Sequence, residues 1–127
     1  MTKFRSIFVL SLLAFALPAC GGDYSPVNEN HTGDIADSDT EHGGRRCDAY
    51  EVSVGQGWHI NTAMTSEYDN YLYLTKGEDV ATNDDSDGLN ARIDTDVEMA
   101  GMYTVYACAY SDGRGDYTLT IETSEGN

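Results

Sequence analysis

The sequence predicts an all-β sandwich beginning near Cys47, and three observations predict it. Apolar and polar residues alternate in short runs, the runs recur about every ten residues, and Gly, Asn and Asp stand between them, which is the punctuation of paired strands. No stretch places apolar residues at i, i+3, i+4 and i+7 over more than two turns, so a helical reading fails. The predicted strands are Cys47 to Val54, Trp58 to Met64, Tyr68 to Thr75, Asp79 to Thr82, Ala91 to Asp94, Met102 to Tyr110 and Asp116 to Glu122.

Successive side chains of a strand point to opposite faces, so each run assigns its own core. The first strand turns Tyr50, Val52 and Val54 inward; the second turns Trp58, Ile60, Thr62 and Met64; the third turns Leu72 and Leu74. Later strands add Ile93, then Tyr103, Val105 and Ala107, and finally Tyr117, Leu119 and Ile121. The same parity puts Cys47 and Cys108 on the faces opposite the core residues of their strands.

The front of the chain reads as an address. Lys3 and Arg5 precede an apolar run from Ile7 to Leu17, broken only by Ser11, and small residues with a cysteine follow, the layout of a secretory signal. The run falls short of the roughly twenty apolar residues a bilayer-spanning helix needs. Leu17-Pro18-Ala19-Cys20-Gly21 resembles a bacterial lipobox, so residues 1–19 are expected to be removed and Cys20 to be acylated, anchoring the protein in the membrane. An ordinary signal peptide cut near Ala19 or Gly22 is the alternative. Gly21 after the cysteine points to the outer membrane under the sorting rule of enteric bacteria.

Loss of Cys20 to lipid leaves Cys47 and Cys108 in a compartment that permits disulfides, and two cysteines allow one bridge. A nucleophilic thiol or a metal ligand pair is the rival reading, without CxxC spacing or a nearby His to support it. Residues 20–44 carry only Val27 and Ile35 as aliphatics and read as an acidic flexible tether, with one edge strand around Gly33 to Ala36 as an option. The sandwich then occupies 45–124, and 125–127 form a tail.

Charge excludes some partners. The chain of 127 residues has 7 Lys+Arg against 22 Asp+Glu, a net charge of −15; removal of Lys3 and Arg5 gives 5 − 22 = −17. So negative a surface repels phosphate backbones and anionic headgroups, which argues against nucleic-acid binding and electrostatic membrane docking.

The ordered strand signals resemble the bacterial pre-peptidase C-terminal domain family. They are Cys47 to Gln56 with its Gly-Gln turn, Tyr68-Asp69-Asn70-Tyr71-Leu72-Tyr73-Leu74, the acidic turn Ala81 to Asp85, Asn90-Ala91-Arg92-Ile93, Ala100 to Val105, and Gly115-Asp116-Tyr117-Thr118-Leu119. The resemblance implies a small antiparallel, jelly-roll-like β-sandwich of about seven or eight strands, used by secreted peptidases as an accessory, substrate-binding or secretion-related module, in some members with calcium. Here no peptidase precedes it, only the lipoprotein-like signal and the tether.

Two candidate sites follow from residue type and spacing. Asn83 to Asp94 place oxygen ligands at positions 1, 3 and 5, Gly at 6 and a carboxylate at 12, the spacing of a calcium loop, although no helices flank it. A looser calcium site would use Asn83, Asp84, Asp85 and Asp87 with Asp69; the bland alternative is an acidic turn held by its own side chains. Tyr106 and Tyr110 alternate opposite the core face of their strand, and Tyr71 and Tyr73 opposite Leu72 and Leu74, so four tyrosines are expected on one sheet surface. Such a face suits sugar rings or extended peptides, or else simply packs across strands. Gly55 and Gly101 are expected where the backbone turns with positive φ or approaches a neighbour closely.

Arg114-Gly115-Asp116 spells an adhesive tripeptide within the first residues of a strand and is read as coincidence. There is no GxSxG, no HExxH and no phosphate-cradling Gly loop, and no serine stands near a His in a nucleophile arrangement, so catalysis is not expected. The expected protein is a lipid-anchored envelope module that binds a polysaccharide or a protein, with calcium as a candidate cofactor. A structural or secretion-related envelope component without a soluble ligand is the alternative.

Overall fold

The computed structural model describes residues 24–84 and 88–126. Nine strands are formed among them: β1 (Asn28–Ile35), β2 (Thr40–His42), β3 (Arg45–Val54), β4 (His59–Ser66), β5 (Asn70–Lys76), β6 (Glu78–Asn83), β7 (Arg92–Asp96), β8 (Gly101–Ala109) and β9 (Gly115–Ser124). All pairings are antiparallel. One sheet has the order β1-β9-β4-β7 and the other β2-β3-β8-β5-β6. Apart from the short β2, each sheet has four strands; β2–β3 and β5–β6 are hairpins within the five-stranded sheet, and all other pairs of consecutive strands from β3 onward change sheet, in the manner of a jelly roll.

The period-two reading locates β3 to β9 within two residues at each end. Their inward faces form one core: Val52, Val54, Leu72, Leu74, Tyr103, Val105 and Ala107 from one sheet meet Ile60, Met64, Ile93, Tyr117, Leu119 and Ile121 from the other, with Tyr50 and Trp58 at its margin. Burial of each large aliphatic contributes about 1.5–3 kcal/mol. Gly101 has a φ of 146°, and a Cβ at Gly55 would lie 2.5 Å from the Trp58 indole nitrogen, so one glycine serves a turn and the other a close approach.

Residues 28–42 differ from the expected tether. β1 pairs with β9 over its whole length, from Asn28↔Glu122 to Ile35↔Gly115, and Ile35 is buried. The segment is too polar to build a core of its own, yet a pre-existing strand satisfies its backbone, so one buried aliphatic is enough to seat it. β2 is joined to β3 by Gly43-Gly44, both with positive φ (62° and 84°), the backbone of a two-residue type I′ hairpin.

Candidate functional site

The outer face of the five-stranded sheet carries the four tyrosines singled out above. Tyr71 and Tyr73 come from β5 and Tyr106 from β8; Tyr110 follows the end of β8. Cross-strand register sets Tyr73 against Tyr106 and Tyr71 against Cys108, whose other neighbour is Cys47 on β3. Cys47 and Cys108 are bonded, their Cα atoms 4.1 Å apart, so the outer-face parity of the two cysteines makes them direct partners. The bridge and the rings form a second, smaller apolar cluster on the outside of the sheet.

The β2–β3 hairpin folds over this cluster. His42 stacks on Tyr106 with ring centroids 4.0 Å apart and planes inclined by 13°, and meets the edge of Tyr73 at 4.5 Å. Its Nε2 also lies 3.1 Å from Asp79 Oδ1 on β6. Gly43 sits against the Tyr73 hydroxyl, where a Cβ would collide. Tyr73 is therefore only 5% exposed and supports the surface from below; it does not face solvent as the parity argument alone implied.

Arg45 completes the arrangement. Its guanidinium carbon lies 4.0 Å from the Tyr71 ring centroid and 4.7 Å from that of Tyr110, while the two rings are 6.0 Å apart. The cation thus caps the notch between the rings. Nη1 donates to the Tyr73 hydroxyl (2.9 Å) and Nε to the Tyr110 carbonyl (3.1 Å). Tyr110 is 40% exposed, whereas Tyr71 and Tyr106 are half-buried. Sequence reasoning missed His42 and Arg45 because both fell at the edge of the expected tether; the Gly43-Gly44 pair was the signal for a hairpin.

The candidate calcium loop is only partly described, because Asp85 and Asp87 lie outside the described residues. The Leu72↔Asn83 pairing brings Asp69, just before β5, and Asn83 and Asp84, at the end of β6, to the same end of the sheet. Asn83 Oδ1 accepts the Arg92 amide at 3.1 Å, a brace across its own loop. Among the described residues no group of three or more His, Cys, Asp or Glu is placed to hold a metal ion. Cys20 also lies outside the described residues.

Two further features stand apart. An open cleft of about 860 Å³ at one end of the sandwich is lined by Asp34, Tyr68, Asp116 and Tyr117 together with Arg114. Arg114 is turned back on its own surroundings: Nε donates to Asp37 at 2.8 Å and Nη1 to the Gly113 carbonyl at 2.6 Å, so the tripeptide is not displayed as a free adhesive loop. On the outer face of the four-stranded sheet, the two ring nitrogens of His59 on β4 are bonded to Asp96 and Asp94 of β7. Those hydrogen bonds raise the His59 pKa above the ordinary histidine value.

No protein-family model matches the chain, and no curated protein matches it in sequence. Solved structures do. The pre-peptidase C-terminal domain of a collagenase from Bacillus anthracis is similar, with a TM-score of 0.58 and 19% identity over 75% of this chain and 89% of that one. Aeromonas hydrophila PliG, a periplasmic lysozyme inhibitor of g-type lysozyme, is similar with a TM-score of 0.53 and 12% identity, covering 86% of this chain and 93% of its own. The family whose strand signals this sequence resembles thus includes a solved domain with the same fold, and it is the fold that the two share.

Proposed function

We propose that the protein is an exported, lipid-anchored envelope module that binds a polysaccharide or a protein without catalysing a reaction, using the tyrosine-bearing face of the five-stranded sheet. One observation carries this reading: Tyr71, Tyr110 and Arg45 form a fixed, solvent-accessible aromatic and cationic surface over a disulfide. Flat rings held in place lose little freedom on binding, which is what a recognition surface requires. The disulfide supports export, since such bonds persist in oxidising compartments. Both similar structures belong to proteins that work outside the cytoplasm or on other macromolecules, as a collagenase domain and a periplasmic inhibitor.

Retention of the purified protein on envelope polysaccharides and matrix proteins tests the face. Tyr110→Ala combined with Tyr71→Ala is expected to abolish retention, and unchanged retention would sink the reading. The anchor is tested separately: Cys20→Ala is expected to release the protein from the membrane fraction. Calcium enters through Asp69, Asn83, Asp84, Asp85 and Asp87, and millimolar calcium is then expected to raise Tm by several degrees, with the rise lost in Asp85→Ala.

A second reading, a structural envelope component with no soluble ligand, draws support from the hairpin that covers Tyr73 and Tyr106. Crosslinking in cells separates the two, since this reading requires stoichiometric envelope proteins to be recovered.

A further inference from the structure

Arg45 differs from Arg46 and Arg114 in what it does with its charge. Arg46 pairs with Glu41 and Arg114 with Asp37, as expected in so acidic a chain. Arg45 pairs with no carboxylate among the described residues and is held by neutral groups alone, the Tyr73 hydroxyl, the Tyr110 carbonyl and two ring faces. A guanidinium has five N–H donors, and these two bonds engage two of them. A planar cation fixed in this way matches the two oxygens of a carboxylate, and its fork is already oriented.

The geometry points to a carboxylate-bearing saccharide as the ligand of this face, with the acid group on Arg45 and the C–H face of the sugar ring on the exposed part of Tyr110; the inference rests on the binding role proposed above. The flat aromatic area beside the cation favours a pyranose acid over a peptide carboxylate, which would use the guanidinium and leave the Tyr110 ring without a partner. The net charge of −15 refines the class, because it repels a continuous polyanion at distances within the Debye length of about 8 Å. The fitting ligand is therefore an otherwise neutral glycan carrying an isolated uronic acid.

Titration calorimetry of the full-length protein in detergent, at about 0.15 M salt, with cellobiouronic acid, its methyl ester and cellobiose provides the test. The acid is expected to bind at least tenfold more tightly than the ester or cellobiose. Arg45→Gln is expected to remove that preference, and Arg45→Lys to retain only part of it, with near-UV circular dichroism confirming that each variant is folded. Equal binding of acid, ester and cellobiose, abolished by Tyr110→Ala, overturns the carboxylate inference and leaves the tyrosine face standing. Binding unaffected by Tyr110→Ala removes the face itself and the inference with it. Preference for a Glu-containing peptide over every sugar, or no binding of the acid, also overturns the inference.

Discussion

Gly33 and Tyr117 are direct cross-strand partners, and the glycine is the space into which the phenol fits: a Cβ at position 33 would lie 2.6 Å from the Tyr117 hydroxyl oxygen. That hydroxyl is fixed from both sides. Its single proton goes to Asp48 Oδ2 at 2.6 Å, so the Tyr50 hydroxyl, also at 2.6 Å, donates to it. Burial, with the neighbouring acidic groups, pushes the Tyr117 phenol well above the ordinary tyrosine range, so it remains a donor at any physiological pH.

Gly33→Ala is therefore expected to destabilise the fold by about 1–3 kcal/mol, the usual cost of forcing an extra methyl into a packed site. Tyr117→Phe, which removes the donor to Asp48, is expected to cost a similar amount. Urea titration of the purified variants measures both, and a Gly33→Ala midpoint equal to the parent's would contradict the packing argument.

The second expectation concerns the bridge. Cys47 and Cys108 are separated by 61 residues, and the chain-entropy relation gives about 4 kcal/mol for closing such a loop. The Cys47→Ala, Cys108→Ala double variant is expected to melt more than about 10 °C below the parent. Differential scanning calorimetry without reductant checks this, and the same fall is expected when the parent is reduced before heating.

His59 predicts a pH dependence. Its folded pKa lies above its unfolded value, so its contribution is fully present below the unfolded pKa, near 6.5, and is lost as pH rises through the folded pKa. The site is well exposed, with 40% of the His59 side chain accessible, which limits the effect to under about 1 kcal/mol. His59→Gln is expected to lower the urea midpoint at pH 5.5 and to leave it unchanged at pH 9. A difference of equal size at both values would assign the residue a packing role instead.

Asn70 is the fourth case. It is fully buried, accepts the Ala91 amide at 2.7 Å, and donates to Ser66 Oγ at 2.7 Å and Asn90 Oδ1 at 3.1 Å. It thereby ties the start of β5 to the loop that leads into β7. Asn70→Ala is expected to cost about 2–4 kcal/mol, because several buried groups lose partners at once. Hydrogen exchange at the Ala91 amide reads the same event locally and should lose its protection.

Legibility in the sequence followed the range of the interactions. Alternation revealed β3 to β9 because each strand carries its own apolar face, and parity found both the core and the outward cysteines and tyrosines. Of β1 only its end was legible, as the optional edge strand around Gly33 to Ala36, because its stabilising partner is β9, at the other end of the chain, and only Ile35 on it is buried and apolar. Asn70 fell inside the predicted strand Tyr68 to Thr75 without any sign of its bracing role, since nothing in its neighbours announces Ser66, Asn90 and Ala91 around it. The tyrosine face was legible strand by strand; its cover of His42, Gly43 and Arg45 depended on a hairpin curling over two strands away.

The pairing of β1 with β9 also sets the time at which folding finishes. β9 lies between β1 and β4, so until it arrives β1 has no neighbour in its sheet and β4 lacks one edge. Contacts so distant along the chain are slow to form. A polypeptide crossing a membrane from its amino end would carry β1 through first and β9 last, and could close its sandwich only on the far side. Closure of the four-stranded sheet thus waits on the last strand of the chain.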